Sequence, residues 1–435
     1  MADLEHRRRF IVVGGGIAGM VVARRLVLGG RDVLLIEEGD YLGGTVARQR
    51  VGGIDLDAGA ESFATRGGTV AQLAVSLGLG GDIVSPNPDG AWLQPARGAA
   101  FRLPENSLLG IPAFPLARDV TAIIGYPAAF RALADALMPA MITKPDTTLG
   151  ELVRRRMGNE VLDKLVRPIV RGVHSADANV LKIDSVAPGL RSALDRNGSL
   201  SSAVRELRQT SARAGSAVAG ISGGVVRIAD ALRADLERFG VEIRLGTRVT
   251  GFADDHVLVE AAARDEGIAD ERIDGEVVIA APGLTEPGAD RGHRVVLATL
   301  VVDQPLLDAA PRGTGVLVAE GRTDIRARAL THSTAKWAWL AERAAGKHVV
   351  RLSYDAEPDG DLATIAREDA AALLGVPLEE SQVVDFARVA WYRPNRLTHT
   401  PDGIRLAGES IAGTGLASVV AQAEALAARL LPDAG

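Results

Sequence analysis

The 435-residue chain contains no cysteine. Disulfides, thiolate metal sites, iron–sulfur clusters and cofactors joined through a cysteine sulfur are thereby excluded. It has no surplus of positive charge either: 49 Lys and Arg stand against 55 Asp and Glu, a formal net charge of −6. A general nucleic-acid binder needs a basic field, so no nucleic-acid partner is expected. No uninterrupted apolar run approaches the roughly 20 residues of a spanning helix. Residues 1–9 are polar and charged, and the apolar stretch after them is too short and glycine-interrupted for a signal peptide. No group of histidines and carboxylates has metal-ligand spacing, so no metal is expected. These absences predict a cytoplasmic protein with no transmembrane segment.

With 47% hydrophobic and 24% charged residues, the composition is that of a globular protein, long enough for about two or three domains. Phe10-Ile11-Val12-Val13 is a continuous apolar run, as in a strand buried on both faces of a parallel sheet. It leads into Gly14-Gly15-Gly16-Ile17-Ala18-Gly19, a G-x-G-x-x-G turn. Gly14 permits the turn, Gly16 lets a pyrophosphate approach the backbone, and Gly19 lets the helix pack closely on the strand. A helix over residues 18–28 offers its N-terminal amides to phosphates. A second strand over 32–36 ends at Glu37, followed by Glu38, where a carboxylate can accept both ribose hydroxyls. Strand, turn, helix, strand and acid in this order specify a dinucleotide. The continuation through Gly43-Gly44 and a hairpin-like stretch to Gly59-Ala60-Glu61-Ser62 resembles that of two-dinucleotide-binding flavoproteins, which points to FAD.

Further pieces lie far downstream. Residues 241–250 read as one strand containing Val249, after a helix over 224–239. Residues 277–283 read as a buried strand through Ala280. Near the C-terminus, Gly408-Glu409 and Gly413-Thr414-Gly415-Leu416 repeat the pattern of strand, glycine turn and helix N-terminus, with a helix over 416–431. Between these pieces, residues 105–213 are mostly helical, with an amphipathic segment at 149–170. Residues 290–395 alternate strand and loop, and 266–274 read as a hairpin loop. The expected fold is α/β: a Rossmann-like two-dinucleotide-binding FAD domain (1–90, 214–289 and 400–435), an inserted helical domain (105–213), and an α+β substrate domain (91–104 and 290–399).

The segment 152–158, Leu-Val-Arg-Arg-Arg-Met-Gly, continues through Leu165, Pro168 and Gly172-Val173-His174-Ser175-Ala176-Asp177. It resembles the "RRRxG…L…P…GVYAGDP" segment of the protoporphyrinogen/coproporphyrinogen oxidases, within the monoamine-oxidase-like flavoproteins. Residues 327–337, ending Ser333-Thr334-Ala335-Lys336-Trp337, resemble that family's "T…SxKW" segment, and Ser222-Gly223-Gly224 its glycine pair before a helix. The resemblance covers nearly the whole chain.

It implies non-covalent FAD and oxidation of a porphyrinogen to the porphyrin, with oxygen as acceptor and hydrogen peroxide as product. The absence of a spanning segment and an Ala/Arg-rich composition similar to that of actinobacterial relatives favour coproporphyrinogen III over protoporphyrinogen IX. The implied FAD contacts are Gly14, Gly16, Ile17, Ala18, Gly19, Glu37, Glu38, Gly43, Gly44, Gly59, Ala60, Glu61, Ser62, Val249, Ala280, Gly408, Glu409, Gly415 and Leu416. In the family a backbone carbonyl at the position of Gly172 faces the pyrroles, making Gly172 the catalytic candidate. Propionates need cations, and the resemblance brings Arg66, Arg97, Arg102, Arg328 and Lys336 to the substrate. The chain departs from the usual "DRxGG" at Tyr41, and Thr45 stands where a basic residue is common; Arg48 is the nearest replacement. The segment before Gly403 is also short.

Other readings stand beside this one. An amine oxidase or a carotenoid desaturase shares the scaffold, although aromatics at 4% are few for an amine cage. A paralogue that binds FAD or a porphyrin without turnover is a third. His174, His332 and His399 leave a histidine-linked flavin conceivable. The apolar residues 108–141 are expected in a core or cavity wall rather than on a membrane surface, and the chain as a monomer or homodimer.

Overall fold

The computed structural model describes residues 9–65, 67–138, 146–174, 177–213, 218–260, 270–285, 292–395, 397 and 403–431; the side chains of 172–174, 210–213 and 285 are not among what it describes. Arg66 and His399 lie outside these residues. The chain divides into two units, one of Met1–Ser85, Ala217–Val295 and Val389–Gly435, the other of Pro86–Ser216 and Val296–Arg388.

In the first unit five parallel strands run in the order Glu242–Arg244, Val33–Ile36, Phe10–Val13, Glu276–Ile279, Arg405–Leu406. Successive side chains on a strand point to opposite faces. Phe10, Val12, Val33 and Leu35 accordingly join one core cluster, while Ile11, Val13, Leu34 and Ile36 join another. A strand covered on both faces has no position to give to a polar residue, which is why these runs are apolar throughout. Over the first face, helix Ile17–Leu28 packs between Leu416–Leu430 and Val226–Arg238. Against the second lies an antiparallel sheet of Val249–Phe252, His256–Val259 and Glu271–Asp274.

The strand expected over 241–250 is two strands in two different sheets. Gly246, at φ +60°, turns the chain between them. The amides of Gly246 and Thr247 donate to the carbonyls of Gly39 and Glu37 at 2.9 and 3.0 Å. The tail of the expected hairpin loop, Glu271–Asp274, is a strand paired with His256–Val259.

The second unit carries a seven-stranded sheet in the order Val383–Arg393, His293–Val302, His348–Tyr354, Ala329–His332, Gly315–Val318, Ala91–Gln94, Phe101–Arg102. Its helices enclose a separate core that includes Leu149, Val153, Leu165, Val170 and Leu190. Thr148 caps helix Leu149–Met157, its hydroxyl accepting from the Glu151 amide at 3.2 Å. The helix ends at Gly158, φ +95°, and Arg131 donates to the carbonyls of Arg156 and Arg155 at 2.8 and 2.9 Å. The amphipathic segment expected through 170 is therefore interrupted. It resumes as Asn159–Val161, a π-helical turn Leu162–Val166 and helix Arg167–His174. Within the arginine triplet, Arg156 is buried and paired with Asp135.

By length and composition Arg118–Leu137 is apolar enough to cross a membrane. It is kinked at Gly125, two residues before Pro127. Val120, Ile124 and Ala132 are in the core, whereas Tyr126, Phe130 and Leu137 are exposed.

Candidate flavin and substrate sites

Three strands of the first unit end at one edge. Gly14 donates to the Ile36 carbonyl at 2.8 Å, Ala280 to Val13 at 2.7 Å and Ala407 to Ile279 at 2.9 Å. In open α/β sheets the carboxyl ends of the strands are where a ligand binds. The three motif glycines have different reasons for being glycine. A Cβ on Gly14 would stand 2.8 Å from the Ala280 carbonyl carbon, and one on Gly19 only 1.9 Å from the Gly14 oxygen. A Cβ on Gly16 would meet nothing within 4 Å. Two glycines thus close the turn against its neighbours, and the third leaves open space before a helix with no side-chain cap. Those first-turn amides are available to an anion.

The surrounding segments converge on this turn. The Gly43 amide donates to the Gly15 carbonyl at 2.8 Å. A Cβ on Gly44 would lie 3.3 Å from the Gly16 Cα, and one on Gly408 3.7 Å from the Ala18 Cβ and 3.9 Å from the Ala280 oxygen. Gly59 is confined by the Thr45 carbonyl, 1.9 Å from where its Cβ would be, and Trp391 Nε1 donates to Ala58 at 3.0 Å. The half-buried Ala60, Glu61 and Ser62 continue from there. Helix Leu416–Leu430 starts at Gly415 without a side-chain cap, and Cβ atoms on Gly413 or Gly415 would meet nothing within 4 Å. Helices Ile17–Leu28 and Leu416–Leu430 thus both start uncapped beside open glycine turns, and both starts fit an extended, anionic dinucleotide. The start of Val226–Arg238 differs. Asp57 accepts from Val225 and Val226 at 3.0 and 2.8 Å, so these amides are already satisfied. Sequence reasoning missed Asp57, whose role depends on a partner 168 residues away.

Glu37 accepts from the amides of Gly15 at 2.6 Å and Gly39 at 2.8 Å. Glu38 is exposed and paired with Arg248. Val249 faces the buried core beneath the sheet. Tyr41, in place of the usual arginine, donates its hydroxyl to the Gly44 carbonyl at 3.4 Å. Burial first, then Glu37 and Asp40, pushes its phenol pKa up, so it stays a neutral donor. Arg48 is held by Asp230 at 2.6 Å, which directs it to helix Val226–Arg238. Burial raises the Glu409 carboxyl pKa, against the pull of Arg393 and the Gly415 amide.

The substrate candidates lie in the second unit and are dispersed. Arg97 is exposed in the turn after Ala91–Gln94. Arg102 is on the edge strand, paired with Glu105 at 3.3 Å. Arg328 is bound by Asp355 at 3.2 Å, and Arg171 holds the same carboxylate at 3.3 Å. Gly172 lies in the last turn of helix Arg167–His174, where carbonyls have no intrahelical donor. Lys336 lines a cavity of about 270 Å³ on the sheet, together with Thr314, Thr331, Arg351 and Ser353. Arg351 was not anticipated, although it is the one charged residue inside the strand Val349-Val350-Arg351-Leu352.

The parallel sheet, the glycine turn with its terminal acid and the second uncapped helix define a dinucleotide-binding oxidoreductase of the flavoprotein type. Residues 17–285 match the family described as flavin containing amine oxidoreductase. The chain is 30% identical over 406 residues to the coproporphyrinogen III oxidase of Mycobacterium leprae, spanning 86% of this chain and 85% of that protein. It is 25% identical over 395 residues to the coproporphyrinogen III oxidase of Staphylococcus aureus, spanning 83% of each. A crystal structure from Exiguobacterium sp. 255-15, provisionally described as a protoporphyrinogen oxidase, superposes with a TM-score of 0.79 at 24% identity, covering 97% of this chain and 98% of the other. The chain belongs to the flavin containing amine oxidoreductases, in their protoporphyrinogen/coproporphyrinogen oxidase group, and its cofactor is FAD.

Proposed function

We propose that the chain oxidises a porphyrinogen to the porphyrin, coproporphyrinogen III in preference to protoporphyrinogen IX, with oxygen as acceptor and hydrogen peroxide as product. The observation that carries this reading is the match to the Mycobacterium leprae enzyme along 86% of the chain. The first unit holds FAD and the second holds the substrate. Gly14, Gly16, Gly19 and the amides of Ile17 and Ala18 cradle the pyrophosphate, with Gly43 and Gly44 alongside. Glu37 accepts the ribose hydroxyls, Glu38 and Val249 border the adenosine, and Gly59–Ser62, Ala280, Gly408, Glu409, Gly415 and Leu416 border the ribityl chain and flavin ring.

Bound FAD supplies a two-electron acceptor for hydride. The protein's task is to position a meso carbon and exclude water. The Gly172 carbonyl accepts the pyrrole N–H groups, orienting the macrocycle, while Lys336, Arg97, Arg102 and Arg328 provide the propionate-facing charge. Loss of each hydride extends conjugation in the product, so the reaction needs no strong protein base. The protein works in the cytoplasm as a monomer or homodimer.

The cavity lining favours this over an amine oxidase. Its lining includes no aromatic ring, whereas a site for a cationic amine is favoured by an aromatic cage. The test is a comparison of kcat/KM under air for coproporphyrinogen III, protoporphyrinogen IX and putrescine, following porphyrin fluorescence and peroxide. The reading predicts the highest value for coproporphyrinogen III. Peroxide from putrescine with no porphyrin above the autoxidation rate would overturn it.

A further inference from the structure

Strand Arg405–Leu406 ends the parallel sheet, with Glu276–Ile279 as its neighbour. The last bond between them runs from the Ala407 amide to the Ile279 carbonyl at 2.9 Å. Backbone groups alternate in direction along a strand, so the Leu406 carbonyl and the Gly408 amide, on either side of Ala407, point away from Glu276–Ile279. In a wider parallel sheet one residue of a further strand would answer both, donating to Leu406 and accepting from Gly408. Gln422 answers both from a side chain. Its Nε2 donates to the Leu406 carbonyl at 2.9 Å, and its Oε1 accepts from the Gly408 amide at 3.2 Å. A primary amide carries a donor and an acceptor on one planar carbon, as a peptide does. Turned the other way, the group would set oxygen against carbonyl and NH2 against amide, so the two contacts fix its orientation.

Gly408, the residue held in this way, is not an ordinary strand residue. Its φ of +109° suits glycine and few others. The amides of Ile411 and Ala412 donate to its carbonyl at 3.1 and 2.9 Å, so its carbonyl is fixed from one side and its amide, by Gln422, from the other. Gln422 itself lies in the second turn of helix Leu416–Leu430, whose uncapped start is at Gly415. One side chain therefore joins the two segments set against the ribityl chain and flavin ring, the Gly408–Glu409 turn and the start of the C-terminal helix.

We infer, on the reading that places Gly408, Glu409, Gly415 and Leu416 at the flavin end of FAD, that Gln422 is a positioning residue for that end of the cofactor. Its amide fixes the spacing between the Gly408–Glu409 turn and the start of helix Leu416–Leu430 before FAD arrives. Without it, the Leu406 carbonyl and the Gly408 amide lose their partner and the turn is free to shift. The lost preorganisation is then felt as weaker binding of the flavin end. The ADP end is held elsewhere, by the first glycine turn and Glu37, and does not depend on Gln422.

The test is a calorimetric titration of the apoprotein with FAD and, separately, with ADP, which reaches the glycine turn but not the segments that Gln422 joins. Gln422→Leu is expected to loosen FAD roughly ten-fold or more and to leave ADP within about two-fold of wild type. A merely structural loss would weaken both ligands or neither. Gln422→Glu gives a second measurement, because a protonated carboxyl again offers one donor and one acceptor, whereas a carboxylate sets an oxygen against the Leu406 carbonyl. Its FAD affinity, taken relative to wild type at each pH, should match Gln422→Leu at pH 8 and rise toward wild type at pH 5. Circular dichroism checks folding, and if Gln422→Leu does not fold, the Gln422→Glu profile decides alone. Wild-type FAD affinity in Gln422→Leu, an equal loss of FAD and ADP, or a flat Gln422→Glu profile overturns the role of Gln422. A wild-type protein that binds FAD no more tightly than ADP refutes instead the assignment of the flavin end on which that role rests.

Discussion

Glu37 Oε2 accepts a hydrogen bond from the Gly15 amide at 2.6 Å, inside the glycine turn itself. The same carboxylate holds Gly39 at 2.8 Å through its other oxygen. One side chain therefore ties the end of the second strand to the turn after the first, and its remaining lone pairs are left for ribose hydroxyls. Glu37→Ala is expected to weaken FAD binding by roughly 1–3 kcal/mol, the cost of leaving hydroxyls and amides unpaired. Flavin retention on dialysis, or the Kd for added FAD, measures it. Retention equal to wild type would remove Glu37 from the site.

Gly16 and Gly19 should separate binding from folding. Gly19→Ala drives a methyl toward the Gly14 oxygen, 1.9 Å from the Cβ position, and should cost about 2 kcal/mol or more of stability even without FAD. Gly16→Ala meets no protein atom within 4 Å, so the apoprotein should melt as wild type while FAD binding weakens at least roughly ten-fold. Urea melts of the apoproteins and FAD titrations check the pair.

The glycine turn and the acid after it were legible because their signals are local. A tight turn, a helix start and a strand end each leave a mark within a few residues. What was not legible depends on distant partners. Residues 241–250 carry one strand's worth of pattern, but the edge of the parallel sheet takes only Glu242–Arg244 and Gly246 redirects the rest. Asp355, 27 residues on, pairs with Arg328, a contact that nothing local in the sequence announces. Arg351 showed only as a charge within an apolar strand, and its cavity exists because Ala91 and Gly315 come alongside from elsewhere in the chain.

Arg156 should be essential to the helical part of the second unit. Besides pairing with Asp135, it donates to the Gly198 carbonyl at 2.5 Å, and Asp135 accepts from the Leu200 amide at 2.5 Å. Arg156→Ala leaves a buried carboxylate without its charge partner, a loss of about 3–5 kcal/mol. Denaturant unfolding checks the size. Arg155→Ala, on the exposed side of the same helix, should change stability by less than about 1 kcal/mol.

His332 should make the protein sensitive to mild acid. Its Nε2 lies 3.2 Å from His348 Nδ1, and His348 Nε2 lies 3.2 Å from Asp308. If His348 donates to Asp308, its Nδ1 accepts from His332, and His332 Nδ1 is left without a partner among the described residues. Burial first, then His348, lowers the His332 pKa from 6.5 to about 4. A folded pKa below the unfolded one means that the unfolded chain binds the proton first. Stability is then full above pH 6.5 and is lost as pH falls toward 4. Between pH 7.5 and 5 the linkage is about 2 kcal/mol, and His332→Gln should shrink the acid-induced loss by that amount. Urea melts at the two pH values decide it, and an unchanged loss in the variant would assign the sensitivity elsewhere.

The central claim is that electrons pass from a porphyrinogen to FAD held by this chain. Anaerobic mixing of the FAD-loaded protein with coproporphyrinogen III in a stopped-flow spectrophotometer tests it most directly. The account predicts that the visible flavin absorbance bleaches as porphyrin absorbance rises, and that admitting oxygen restores it with release of peroxide. Flavin absorbance that stays unchanged while the porphyrinogen persists would contradict it.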